Sequence, residues 1–162
     1  KIALSDVAST RLDMGEIERD LWHEVLRSDF DEAIEKQIVS IETTVTRLLA
    51  DAQLQAGDTQ GAVATLEQNA PALVQEPTYH SLLAASYQQT GQWQQSAASY
   101  RQLVALRPGQ ATWQLGLAIA LEQLDQPAEA ARHYRLALQG LGLDESAKRF
   151  ASERAAALGG RG

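Results

Sequence analysis

The sequence predicts an all-α fold, built as a solenoid of helix-turn-helix units. Its composition favours helix, because Ala, Leu, Gln, Glu and Arg dominate and Val, Ile and Thr alternate nowhere over a useful length. The chain also repeats itself with a period of about 34 residues, a length that is typical of stacked helix pairs. At 162 residues it is long enough for one domain with a core.

When the sequence is aligned with itself at an offset of one period, similar residues coincide in its central part. The register aligns Leu-Ala pairs, turn residues, small residues and large residues, in that order: Leu49-Ala50, Leu83-Ala84 and Leu117-Ala118; Gly57, Gly91 and Asp125; Ala62, Ser96 and Ala130; Leu66, Tyr100 and Tyr134. Three units follow, at residues 43–76, 77–110 and 111–144. The small residues are expected where paired helices cross, because a close crossing requires short side chains.

Each unit is predicted to contain two antiparallel helices. Pro77 suits the first turn of a helix, where its missing N–H costs nothing. Gly91 suits the left-handed residue that stops that helix, and Pro108 ends the second helix of the middle unit. In the third unit, Pro127 opens the second helix after a turn at Asp125.

Residues 1–42 are predicted to form an acidic helical extension, with eleven Asp or Glu and five Lys or Arg. Two patterns that resemble capping boxes, Asp13 with Glu16 and Asp29 with Glu32, predict helices near 14–27 and 30–54. One apolar stripe runs through Ile34, Ile38, Ile41, Val45 and Leu48 or Leu49, and a second consists of Ile17, Leu21, Trp22 and Val25. These stripes either cap the first repeat or form an interface, and the second stripe supplies the candidate residues for a homodimer interface.

Residues 145–162 are predicted to be a capping helix followed by a flexible tail. Asp144 is the expected N-cap of this helix. An apolar stripe along it would cover the face that the last unit of a solenoid leaves exposed.

Short segments in the second and third units carry a family resemblance. The second unit contains 80-HSLLAASY-87, 96-SAASY-100 and Pro108, and the third contains 114-QLGLAIAL-121 and 130-AARHY-134. These segments resemble the tetratricopeptide repeat over about residues 43–144, with His80 and Gln114 in place of the usual aromatic residue. The resemblance implies about three tetratricopeptide-like repeats that serve as a non-enzymatic scaffold for protein–protein interaction.

A narrower resemblance involves the segment 113-WQLGLAIAL-121. It is similar to the C-terminal repeats of proteins for biogenesis of the mannose-sensitive haemagglutinin pilus, a bacterial type IV pilus. This resemblance implies a bacterial protein that is anchored in the inner membrane outside this sequence, with its repeats in the periplasm; a cytoplasmic location is the other option.

The first helix of each pair is expected to line the groove of the solenoid. Residues away from the packing stripe of those helices are the candidates for contact with a partner peptide or helix: Arg47, Thr78, Ser81, Ala85, Gln88, Gln89, Thr112, Leu115, Ile119, Glu122 and Gln123. This groove is mostly neutral and rich in amides. Arg47 is its one basic residue, so a clamp for the carboxylate of a partner's C-terminus is not expected.

Several classes of function are disfavoured by the sequence. It has no cysteine, and its three histidines lie in different units without a second ligand at metal-binding spacing, so we expect no metal site and no cofactor. No phosphate-binding loop, nucleophile motif or carboxylate pair indicates catalysis. The net charge of −7 disfavours nucleic acid, and no run of 18 apolar residues is present.

Overall fold

The structure is a computed structural model that describes residues 4–159, except for the side chains of residues 4–20 and of Trp22. This part of the chain confirms the predicted all-α class, because it contains seven α-helices and no β-strand: α1 Leu4–Gln55, α2 Thr59–Gln68, α3 Pro77–Gln89, α4 Trp93–Leu106, α5 Ala111–Gln123, α6 Pro127–Gln139 and α7 Glu145–Gly159. The chain divides into two compact units, Lys1–Glu42 and Thr43–Gly162.

Helix α1 differs from the two helices that the sequence predicts. It is continuous from Leu4 to Gln55, so Asp29 lies inside the helix and does not cap a new one. The physical reason is that neither glycine nor proline occurs between residues 16 and 56, while an aspartate within a helix costs well under about 1 kcal/mol. Leu21 and residues 23–42 are all exposed.

The three turn residues that the repeat period aligns share one backbone conformation. Gly57, Gly91 and Asp125 have φ angles of 83°, 73° and 56°, and each closes the turn between the two helices of its unit. Asp125 is the one non-glycine residue with a positive φ among the described residues. Aspartate tolerates the left-handed region better than most side chains, which explains why the third unit can do without a glycine.

Prolines and aspartates mark the beginnings of four helices. Pro77 and Pro127 are the first residues of α3 and α6. Asp58 caps α2 by accepting a hydrogen bond of 2.9 Å from the backbone N–H of Gly61. Asp144 accepts one of 2.7 Å from the N–H of Ala147, so the N-cap predicted for the last helix is present.

The small residues lie where the helices of a pair touch. Ala84, Ser96, Ala118 and Ala130 are all fully buried, and the Ser96 hydroxyl donates to the carbonyl oxygen of Ala84 over 3.0 Å. The buried apolar side chains form two clusters. One joins the last turns of α1 to α2 and α3 around Leu66 and Tyr79, and the other extends through α4, α5, α6 and α7 around Leu117 and Tyr134.

Tyr100 of α4 lies against the backbone of α5 at Gly116. A Cβ atom at position 116 would be 2.6 and 2.7 Å from Cε2 and Cε1 of the Tyr100 ring, and closer still to Cζ. A side chain at this position would therefore force the ring or the helix backbone to shift. Burial of the ring raises the pKa of Tyr100 to about 12.

Candidate partner-binding face

Helices α3 and α5 contact one another directly and present equivalent residues side by side. Each candidate groove residue on α3 has its counterpart on α5 one period later: Thr78 and Thr112, Ser81 and Leu115, Ala85 and Ile119, Gln88 and Glu122, Gln89 and Gln123. The spacing of three and four residues keeps each set on one helix face. Arg47, which is half-buried, occupies the same position on α1, one period before Ser81.

Two of the candidates hold α3 and α5 together. The amide nitrogen of Gln88 donates to the carbonyl oxygen of Gly116 over 2.6 Å. The indole N–H of Trp113 donates to the hydroxyl of Ser81 over 3.0 Å. Both candidate side chains are therefore engaged in hydrogen bonds within the chain, where they fix the spacing of the two helices.

Glu122 links α5 to the next two helices. Its carboxylate accepts a hydrogen bond of 2.8 Å from the Tyr134 hydroxyl on α6 and one of 3.1 Å from Nε of Arg154 on α7. Nη2 of Arg154 contacts its other oxygen. The Glu122 side chain is 19% exposed, so this paired carboxylate chiefly joins helices of the chain to one another.

Apart from Arg47 on α1, seven candidates remain accessible, all on α3 and α5, and we call these seven the α3–α5 face. Four of them are exposed and three are half-buried: Thr78, Gln89, Thr112 and Gln123, then Ala85, Leu115 and Ile119. Leu115 and Ile119 pack against the larger apolar cluster and form an apolar floor between neutral polar side chains. None of the seven carries a charge, so the face suits an uncharged, partly apolar segment of a partner.

A second pair of equivalent residues escaped the sequence prediction. Tyr79 and Trp113 are one period apart, both are buried, and each immediately precedes the position at which the family has its aromatic residue. The Tyr79 hydroxyl donates to the carbonyl oxygen of Leu66 over 2.7 Å, which ties α3 to α2. The same period would have revealed this pair if aromatic residues had been sought one position earlier.

The polar residues at the aromatic position reach back to proline carbonyls. Nε2 of His80 lies 2.7 Å from the carbonyl oxygen of Pro71. The amide nitrogen of Gln114 donates to the carbonyl oxygen of Pro108 over 2.8 Å. Each side chain fastens the beginning of its helix to the preceding loop. These hydrogen bonds compensate for the burial of polar groups at a position that is usually apolar.

His133 on α6 is a buried partner of Gln114. The amide nitrogen of Gln114 donates to the carbonyl oxygen of Pro108. The amide oxygen of Gln114 accepts a hydrogen bond of 2.7 Å from Nδ1–H of His133. Burial, with the positive charge of Arg132 next in importance, lowers the pKa of His133, while Glu129 acts in the opposite direction. The histidine therefore serves as a neutral link between α5 and α6 at neutral pH.

The candidate interface residues of the extension lie on α1. Leu21 and Val25 are 56% and 49% exposed. The side chains of Ile17 and Trp22 lie outside the described residues. The assignments of the extension as a cap or as an interface stay predictions, and the exposure of Leu21 and Val25 favours an interface.

Two further features of residues 4–159 bear on the kind of site that this chain offers. No helix in that range is apolar enough over a sufficient length to cross a bilayer. No three His, Asp or Glu side chains among the described residues are grouped so that they could hold a metal ion.

Comparison with known proteins agrees with the helix pairs. Residues 82–148 match the tetratricopeptide repeat family. The fold is similar to the crystal structure of the Sgt2 TPR domain from Aspergillus fumigatus, with 19% identity, a TM-score of 0.64 and coverage of 75% of this chain and 83% of that one. No curated protein matches the chain. The resemblance to pilus biogenesis proteins stays a prediction.

Proposed function

We propose that this chain is a non-enzymatic scaffold that binds a peptide or helix of a partner protein on the α3–α5 face. Tetratricopeptide repeat domains in general mediate interactions between proteins, and residues 82–148 match this family. The observation that carries the proposal is the apolar floor of Leu115 and Ile119, which is half-buried and continues onto Ala85 of the neighbouring helix.

The chemistry of the face defines its partner more closely. Leu115 and Ile119 pack against the larger apolar cluster and stay half-buried, so an apolar side chain placed against them would remove further apolar surface from water, at about 25 cal/mol for each Å². Thr112 and Gln123 are exposed beside them and can hydrogen-bond to the backbone of an extended or helical segment. The best ligand therefore carries one or two apolar side chains and no cluster of charges.

The fixed geometry of the two helices also favours binding. The hydrogen bonds from Gln88 to Gly116 and from Trp113 to Ser81 hold α3 and α5 at one spacing before any ligand arrives. A face that is already ordered spends less conformational entropy on association. These two bonds therefore support partner binding indirectly, and their side chains need not touch the ligand.

A substitution that blocks the α3–α5 face but keeps the hydrogen bonds between α3 and α5 tests the proposal. Peptides selected on the immobilised chain from a random library provide the probe, and Ala85→Arg places a long charged side chain over the floor. The affinity of the selected peptides is expected to fall by about tenfold or more. The control is Ala98→Arg, the same change at an exposed position of α4. Equal affinities for Ala85→Arg and the parent would contradict the proposal.

A homodimer through residues 14–42 is the second candidate function. It is favoured by the exposure of Leu21 and Val25, which lie four residues apart on one side of α1. Analytical sedimentation of the full chain over a wide range of concentrations tests this idea. Dimers that Leu21→Gln with Val25→Gln abolishes are expected, and a monomer at every concentration would contradict it.

The cellular setting is a separate part of the proposal. The resemblance of residues 113–121 to pilus biogenesis proteins suggests assembly of a bacterial envelope structure, with a partner from the same assembly. A strain that lacks this protein is then expected to lose its surface pili and to regain them when the gene is restored. Normal piliation without the protein would exclude this setting but would leave peptide binding by the scaffold untouched.

A further inference from the structure

The extension carries a continuous row of exposed, large apolar side chains. Leu26, Phe30, Ile34, Ile38 and Ile41 follow one another at intervals of four, four, four and three residues, so they share one face of α1. They are between 42% and 64% exposed. The row is roughly 22 Å long at 1.5 Å per residue, which makes it large enough to dock a helix of about four turns. We call it the extension face.

A line of carboxylates borders this face on one side. Glu24, Asp31, Glu35 and Glu42 are spaced by seven, four and seven residues, which places them in one row next to Ile34 and Ile38. Residues 21–42 of the extension contain six carboxylates and two cations, Arg27 and Lys36.

Lys36 does not neutralise this border. Its ammonium group lies 2.7 Å from the carboxylate of Glu32, a residue outside the row, and both side chains are exposed. Arg27 lies within one turn of Glu24 and Asp31 and offsets part of the charge of the row, but four carboxylates against this one cation leave the border negative. A partner that binds there gains if it brings cations to that border.

We propose that the extension face docks an amphipathic helix of a different protein, whose apolar stripe is bordered by Lys or Arg. The apolar row supplies the buried area, and the carboxylate row selects for a basic border and fixes the orientation of the bound helix. The face consists of other residues than the α3–α5 face, so the chain would offer two separate surfaces to partners.

A second copy of the chain fits this face less well. In an antiparallel pair, the carboxylate row of one copy would face the same row of the other, and like charges repel. In a parallel pair it would face the opposite border, where Asp29 is a further carboxylate and the nearest cation, Lys36, is already paired with Glu32. An anionic lipid surface would also be repelled by the row.

Synthetic helical peptides added to the full chain test the proposal. Two peptides share one leucine stripe, and one has a lysine border where the other has a glutamate border. Fluorescence anisotropy is expected to show that the lysine peptide binds at least about tenfold more tightly at low salt. Its affinity is expected to fall when the salt concentration is raised from about 0.05 M to about 0.5 M.

Variants then locate the binding. Ile34→Gln with Ile38→Gln removes the middle of the apolar row and is expected to weaken the lysine peptide by at least about tenfold. Glu35→Gln with Glu42→Gln is expected to reduce the difference between the two peptides. The matched control is Val74→Gln with Leu141→Gln, which changes two exposed apolar residues outside the extension and is expected to leave binding unchanged.

Three results would overturn the proposal. The first is equal binding of the two peptides, and the second is equal binding to the Ile34 and Ile38 variant and the parent. The third is self-association of the full chain that the same variant abolishes, because it would make a second copy the occupant. Ala85→Arg is expected to leave binding of the lysine peptide unchanged. Failure of the proposal for the α3–α5 face can therefore be distinguished from failure of the proposal for the extension face.

Discussion

Replacing Gly116 by Ala is expected to destabilise the chain, although the same change ordinarily strengthens a helix. In an exposed helix interior, alanine is about 1 kcal/mol more favourable than glycine. At position 116 the new Cβ would lie 2.6 and 2.7 Å from two carbons of the Tyr100 ring, far inside normal contact distance. The ring is only 5% exposed and packed in the larger apolar cluster, so it has little room to move.

The magnitude follows from these two opposing effects. Overpacking of a buried contact costs about 1–3 kcal/mol, which exceeds the gain in helix propensity. The net expectation is a loss of about 1 kcal/mol in the free energy of unfolding. Urea denaturation followed by circular dichroism measures it, and Gly109→Ala, where a Cβ meets nothing within 4 Å, is the control.

A second variant identifies the ring as the cause. In a Tyr100→Leu background the ring is absent, so Gly116→Ala is expected to become stabilising by about 1 kcal/mol. The double-mutant cycle would then give a coupling free energy of about 2 kcal/mol between the two positions. A rise in stability for Gly116→Ala in the parent chain would refute the argument that α4 and α5 depend on a glycine here.

Three further changes test other parts of the structure. Gln88→Glu is expected to lower the free energy of unfolding by about 1–3 kcal/mol in urea, because a carboxylate cannot donate to the Gly116 carbonyl, whereas Gln89→Glu at an exposed position changes it little. Gly91→Ala is expected to cost about 1 kcal/mol in thermal melting, because φ is 73° there. Burial lowers the pKa of His133 below its ordinary value of 6.5. As the pH falls, the unfolded chain therefore binds the proton before the folded chain does. The free energy of unfolding is expected to decline as the pH falls through about 6.5, and to stop declining below the pKa of the folded chain. The His133→Gln variant lacks this part of the decline, and identical pH profiles for the two chains would contradict the assignment.

The repeat architecture could be predicted because the same physical requirement recurs once in every period. A left-handed turn needs Gly91 or a tolerant residue such as Asp125, and a close helix crossing needs a short side chain such as Ser96. Such requirements depend on the type of residue alone. They can therefore be recognised in a sequence without knowledge of its neighbours in space.

The site was harder to predict because exposure on a helix face does not decide which groups lie within reach. Gln88, Ser81 and Glu122 lie away from the packing stripe of their own helices in the sequence pattern. Each of them is nevertheless hydrogen-bonded to a group on a neighbouring helix. The local sequence does not contain those distances. The length of α1 was missed for a related reason, since a capping pattern such as that of Asp29 is optional where no glycine or proline interrupts the helix.

Backbone amide spectra of the isotope-labelled full chain show whether the α3–α5 face binds a partner segment. Peptides selected on the chain are added while the signals are followed residue by residue. The largest shifts are expected to cluster on α3 and α5 around Ala85, Leu115 and Ile119, whereas the exposed side of α4 around Ala98 is expected to shift little. Shifts that cluster on α4 or α6 and spare these three residues would contradict binding on this face.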